Sequence, residues 1–81
     1  MKVLLFGRLA DKAGREIDVD VPESGCTVAE LRAMIGRECP VLAGDLSAPS
    51  IKACIDRQVA GEDARVGPGE EVAFIPPLSG G

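Results

Sequence analysis

Val72-Ala73-Phe74-Ile75-Pro76-Pro77-Leu78-Ser79-Gly80-Gly81 closes the 81-residue sequence, and the order of its parts decides how the rest is read. Val72 to Ile75, preceded by Glu71, has the apolar character of a strand buried in a sheet. Proline fixes φ and lacks an N–H, so Pro76-Pro77 stops sheet pairing and stiffens the chain beyond the strand. Fully extended, the stretch from Pro76 to Gly81 spans about 20 Å, at roughly 3.3 Å per residue. Gly80 and Gly81 carry no side chain, so the carboxylate of Gly81 sits on a thread thin enough for a narrow pocket in another protein. A frayed terminus is the plain alternative. A proline stalk directly behind a buried strand argues against it. The sequence thus divides into a domain over residues 1–75 and an extended tail over residues 76–81.

Working back from the tail, Gly67-Pro68-Gly69-Glu70 places proline and glycine as a type II turn needs them and launches the last strand over Glu71–Ile75. Ile51–Ile55 and Gln58–Ala60 read as short strands around Asp56-Arg57, and Gly61–Arg65 as a loop. Val41–Ser50 contains Gly44, Asp45 and Pro49 and reads as a loop able to hold one turn of helix. Thr27–Glu38 is the one main helix. Thr27 and Glu30 have the spacing of a capping box, and Val28, Leu31, Met34 and Ile35 form an apolar stripe. Cys39-Pro40 ends it, because a residue before proline avoids the α region.

Glu16–Val21 alternates, with Ile17, Val19 and Val21 on one face and acidic residues on the other, until Pro22 stops it. It is expected to pair as an antiparallel hairpin with Val3–Phe6, a continuous apolar run that suits a strand covered on both faces. Between the two, Leu9–Ala13 forms one helical turn that Gly14 closes with a left-handed cap. Two strands, one helix and three strands make an α+β domain of two layers.

Composition excludes several classes of function. Hydrophobic content of 46% with 27% charged residues suits a globular domain, and no apolar run approaches membrane-spanning length. The absence of a leader pattern predicts a cytoplasmic protein. The net charge is −4 with interspersed signs and only two aromatic residues, so no nucleic-acid partner and no membrane partner is expected. Cys26, Cys39 and Cys54 are widely spaced with no Cys-x-x-Cys, which disfavours both a disulfide framework and a zinc site; they read as small apolar side chains.

The sequence contains no histidine, so no Ser-His-Asp or Cys-His arrangement is possible. No glycine-rich loop of the nucleotide-binding kind opens a helix. The carboxylates Glu16, Asp18 and Asp20 form a solvated strand face, and a domain this small with one helix has little room for a substrate pocket. The protein is therefore not expected to catalyse alone, nor to bind a cofactor or metal.

The run Gly69–Gly81, the opening Met1-Lys2-Val3-Leu4-Leu5-Phe6-Gly7-Arg8-Leu9 and the helix start Thr27-Val28-Ala29-Glu30-Leu31 resemble the small subunit of molybdopterin synthase. That family is a set of ubiquitin-like sulfur carriers. The resemblance covers essentially the whole chain, with Pro-Pro-Leu-Ser-Gly-Gly as its most specific part. It implies the β-grasp fold: a mixed sheet of about five strands on one main helix, with the first and last strands parallel at the sheet centre. It also implies that Gly81 is the reacting residue, with Gly80 giving clearance. An ATP-using adenylyltransferase, similar to ubiquitin-activating enzymes, converts the Gly81 carboxylate to an acyl-adenylate, and sulfur transfer then yields a thiocarboxylate. In the large subunit of a heterotetrameric synthase, that sulfur passes to cyclic pyranopterin monophosphate.

Docking of such a tail needs an apolar surface beside it. Phe6 and Phe74 are expected to contribute, together with Pro76, Pro77, Leu78 and Ser79. Arg8 is read as solvated, and Ala10 stands where some relatives carry a basic residue. Thiamine-pathway and tRNA-thiolation carriers use the same tail chemistry, although thiamine carriers usually lack the Pro-Pro pair. A ubiquitin-like modifier joined to lysines through Gly81 also begins with adenylation. A small binding module with an incidental diglycine remains the reading from another class.

Overall fold

The computed structural model describes residues 1–77. Its elements run β1 (Lys2–Leu5), α1 (Arg8–Ala13), β2 (Glu16–Asp18), β3 (Cys26–Thr27), α2 (Val28–Glu38), α3 (Pro40–Leu46), β4 (Lys52–Ile55), β5 (Gln58–Ala60), β6 (Arg65–Val66) and β7 (Val72–Ile75). Five strands form one sheet in the order β2-β1-β7-β4-β5, and β3 pairs with β6 in a separate two-stranded ribbon. β1 and β7 are parallel, with Leu5 opposite Phe74, and every other pair is antiparallel. This is the β-grasp arrangement, with β7 at the centre.

Alternation sorts the central strands into two faces. Val3, Leu5, Ala53, Val72 and Phe74 point inward and join Val28, Leu31 and Ile35 of α2 and Leu42 and Leu46 of α3 in one core. Leu4, Cys54, Ala73 and Ile75 lie on the opposite face and are only half-buried. β1 is therefore covered on one face, not on both as its apolar run suggested, and Phe6 falls just beyond it. β2 is shorter than the alternating stretch, yet pairing continues: the Val19 N–H donates to the Met1 carbonyl at 2.8 Å, and the Met1 amine to the Val19 carbonyl at 2.8 Å.

α2 begins at the capping box read from the sequence. The Glu30 N–H donates to Thr27 Oγ1 at 3.1 Å, and the Thr27 N–H to Glu30 Oε1 at 2.8 Å. Thr27→Ala removes an acceptor from an otherwise unpaired first-turn donor and should lower stability by about 1 kcal/mol. Urea unfolding of the two proteins measures the difference.

Several sequence expectations are corrected here. Pro40 does not open a loop; it sits in the first turn of α3, where its missing N–H has no helical partner in any case. Among the described residues there are three helices: the main helix α2, α1 at the turn expected over Leu9–Ala13, and α3, which is longer than the single turn expected within Val41–Ser50. Arg65, read as the end of a loop, instead begins the strand β6 with Val66, because Cys26 and Thr27 offer a pairing edge. The Gly67–Glu70 turn is present, with the Glu70 N–H bonded to the Gly67 carbonyl at 3.1 Å, but Gly69 is not among the residues with positive φ, so the turn is not type II. The Gly67 N–H instead donates to Glu70 Oε1 at 2.7 Å. Gly14 caps α1 at φ 92 and ψ 167, outside the left-handed helical region.

Candidate functional site

The two central parallel strands leave the sheet at the same end, so the root of the tail lies beside the β1–α1 corner. Gly7 meets Pro76 there, with Phe6 before the one and Pro77 after the other. β7 ends at Ile75, which still faces Lys52 of β4, and Pro76 comes next without an N–H to continue the ladder. Pro76 is half-buried and Pro77 is exposed. A β-carbon added to Gly7 would lie 2.7 Å from Pro76 Cγ, so the proline ring rests directly on bare backbone.

The two phenylalanines part company. Phe6 is 46% exposed at the root of the tail. Phe74 is 0% exposed: it points into the core, with the Arg32 guanidinium carbon 5.3 Å from its ring centroid. The expectation that Phe74 contacts a partner is therefore overturned. The parallel register gives Phe74 the inward side of the central strand, and nothing of it reaches the surface. Leu78, Ser79, Gly80 and Gly81 lie outside the described residues.

Arg32 was not singled out by sequence reasoning. Its Nη1 donates to the Leu46 carbonyl at 2.7 Å and its Nη2 to the Ile51 carbonyl at 2.6 Å, while Nε donates to Glu62 Oε2 at 3.1 Å. One side chain thus ties the end of α3, the entry to β4 and the loop after β5 to the ring of Phe74. Arg32 is one of two arginines in α2, and nothing in the sequence signals such a role for it.

Arg8 is not simply solvated. Its Nε donates to Asp45 Oδ1 at 3.2 Å and Lys12 Nζ donates to Oδ2 at 2.7 Å, so α1 is tied to α3. The Lys12 hydrogen bond, reinforced by both cations, holds the Asp45 carboxyl below its ordinary value. A carboxyl whose pKa is lower folded than unfolded stabilises the fold above its unfolded pKa, about 3.9, and loses that contribution as pH falls through the folded pKa. Asp45→Asn should therefore lower stability slightly at neutral pH and flatten the acid side of the stability profile. Urea unfolding from about pH 7 down to pH 2 tests the sign.

The thiols are dispersed. Cys26 is buried in β3, and desolvation, aided by Glu30, pushes its pKa up, which disfavours a thiolate. Cys39 caps α2, and Cys54 lies on the half-open sheet face opposite Ala73. Among the described residues, no helix is long and apolar enough to cross a membrane.

The pattern that defines the ThiS family matches residues 3–81. The chain belongs to the ThiS family. As a ThiS-family protein it has close structural counterparts. SAMP1 of Haloferax volcanii superposes with a TM-score of 0.81 at 28% identity, covering 99% of this chain and 97% of that one. A second structure of the H. volcanii protein, described as small archaeal modifier protein 1, gives a TM-score of 0.81 at 25% identity over 95% of each chain. A Pyrococcus furiosus protein with the provisional name molybdopterin converting factor, subunit 1, gives 0.78 at 22% identity over 95% of each chain. These likenesses place the ThiS-family chain among ubiquitin-like β-grasp proteins.

Proposed function

We propose that this ThiS-family protein is the sulfur-carrier subunit of a molybdopterin synthase. The observation that supports it most is the parallel β1–β7 pair at the sheet centre, which ends at Ile75 and is followed directly by Pro76-Pro77. A thin segment leaving a rigid sheet suits delivery of a reactive end into a partner. The carboxylate of Gly81 is a poor electrophile; its adenylate, made with ATP by an activating enzyme, has AMP as leaving group. Displacement of AMP by a sulfur donor yields the thiocarboxylate. The large subunit of a heterotetrameric synthase then supplies the catalytic side chains that pass the sulfur to cyclic pyranopterin monophosphate. Exposed Phe6 and Pro77 belong to the docking surface, with Leu78 and Ser79 continuing it.

The test is the intact mass of protein isolated from its native cell, followed by fragmentation. One oxygen replaced by sulfur at Gly81 supports the reading; sulfur on a cysteine, or none after incubation with the activating enzyme, ATP and a sulfur donor, overturns it. The likeness to SAMP1 favours a second reading, conjugation of Gly81 to lysines of other proteins. Peptide mass spectrometry separates the two, since conjugation leaves a lysine joined by an isopeptide bond to Gly81, which trypsin releases as a branched peptide carrying residues 66–81, and sulfur donation leaves none.

A further inference from the structure

We infer that Gly7 is a positioning residue: its bare backbone is the seat of the Pro76 ring, and this contact sets the direction in which the chain leaves the sheet. The inference rests on the carrier reading only for its consequence in transfer, not for its geometry. Continuing the parallel register two residues past Leu5 and Phe74 brings Gly7 opposite Pro76. At that point a ladder hydrogen bond cannot form, because proline has no N–H. Steric contact takes over. The three nearest atoms to a β-carbon built on Gly7 are all from the Pro76 ring, Cγ at 2.7 Å, Cδ at 3.6 Å and Cβ at 3.9 Å. Gly14, Gly44, Gly61 and Gly69 have nothing within 4 Å of that position; Gly25 is approached as closely, by the Val66 carbonyl oxygen at 2.7 Å, but among the described glycines Gly7 is the one that meets the root of the tail.

The seat is also fixed to the body of the domain. Gly7 stands at φ 58 and ψ −135, a combination that side chains rarely adopt, and it is the residue that opens α1. Its carbonyl accepts from the Asp11 N–H at 3.2 Å, and the Phe6 carbonyl from the Leu9 N–H at 3.2 Å. Leu9 is buried in the core, and Arg8 and Lys12 hold Asp45 of α3. The direction of Pro76 is thus referenced to a helix that cannot swing freely. Restoring ordinary contact around a methyl at Gly7 requires the ring to move by about 1 Å. A displacement of that size at a reacting group can cost about 10²-fold in rate.

Two measurements test this. In the free protein, nuclear Overhauser contacts between the Gly7 α-protons and the Pro76 ring are expected, and the dipolar couplings of Pro77 should fit the alignment of the sheet. Missing contacts, or couplings of Pro77 unrelated to the sheet, overturn the inference whatever the reaction is. In single-turnover transfer from thiocarboxylated protein, Gly7→Ala should lower the rate at saturating partner by about 10²-fold while leaving partner affinity within a few-fold. Because the new methyl also strains the backbone, thermal unfolding is followed in parallel, and Pro76→Ala supplies a variant with unstrained Gly7. Once Pro76 is alanine, adding Gly7→Ala should slow transfer little further. Additive losses, a wild-type rate for Gly7→Ala, or a loss matching its unfolded fraction would each overturn the inference. A wild-type protein that shows the contacts yet never acquires sulfur sinks the carrier reading alone.

Discussion

If Gly81 carries sulfur as proposed, appending one residue to it, or deleting it, should abolish pterin conversion while the protein still folds and binds the large subunit of a synthase. Deletion withdraws the reacting end by roughly 3.3 Å, and extension replaces it altogether. Either change exceeds the displacement of about an ångström that already costs about 10²-fold. Both lie beyond Ile75, where β7 ends, so the core is untouched. Gly80→Val should bind more weakly and react poorly, because a branched side chain widens the thread. The assay is molybdopterin formation from large subunit, activating enzyme, ATP and a sulfur source. An extended variant, verified as unprocessed and as active as wild type, would remove Gly81 as the working group.

Phe74→Ala should have the largest effect on stability. Truncating a fully buried phenylalanine costs about 3–5 kcal/mol, and the whole stability of a domain this size is on the order of 4–12 kcal/mol. The ring sits at the centre of the sheet and faces Arg32, whose donors hold three other segments in place. The variant is therefore expected to lose between about a quarter and all of its stability. Phe6→Ala is the matched control: a half-exposed ring outside the sheet should change stability by less than about 1 kcal/mol, yet weaken binding of the large subunit. Thermal unfolding and partner titration of the two variants, side by side, test the division between a core ring and a docking ring.

That division also shows where sequence reading reached its limit. The two-layer α+β domain is legible because its signals are local: the Thr27–Glu30 spacing, the alternation from Glu16, and the prolines after Ile75. Strand order was not local and came from resemblance. The hairpin at Asp56-Arg57 was read from its flanking strands, although both turn residues adopt positive φ, 48 and 73, without a glycine to announce it. α3 is only partly legible: Gly44 and Asp45 point to a loop able to hold one turn, although Pro40 is itself a helix start. Phe6 and Phe74 are hard to tell apart in sequence, since each lies in one of the two apolar runs expected at the sheet centre. Only the register, Leu5 opposite Phe74, decides that one turns inward and the other stays out. Arg32 and Gly7 owe their roles to neighbours that are distant in sequence, and no spacing rule reveals such partners.

The β1–β7 pairing has a further meaning for how the protein comes into being. Val3 waits for Val72, so the centre of the sheet closes across nearly the whole length of the chain. Loop-closure entropy makes such a contact late and slow to form. Until β7 exists, β1–β2 and β4–β5 are separate hairpins, and isolated hairpins are marginal in water. A synthesis product that stops short of Val72 therefore has neither a tail nor a folded body to display one. Premature termination yields a substrate for proteases, not a competitor for the partner's surface.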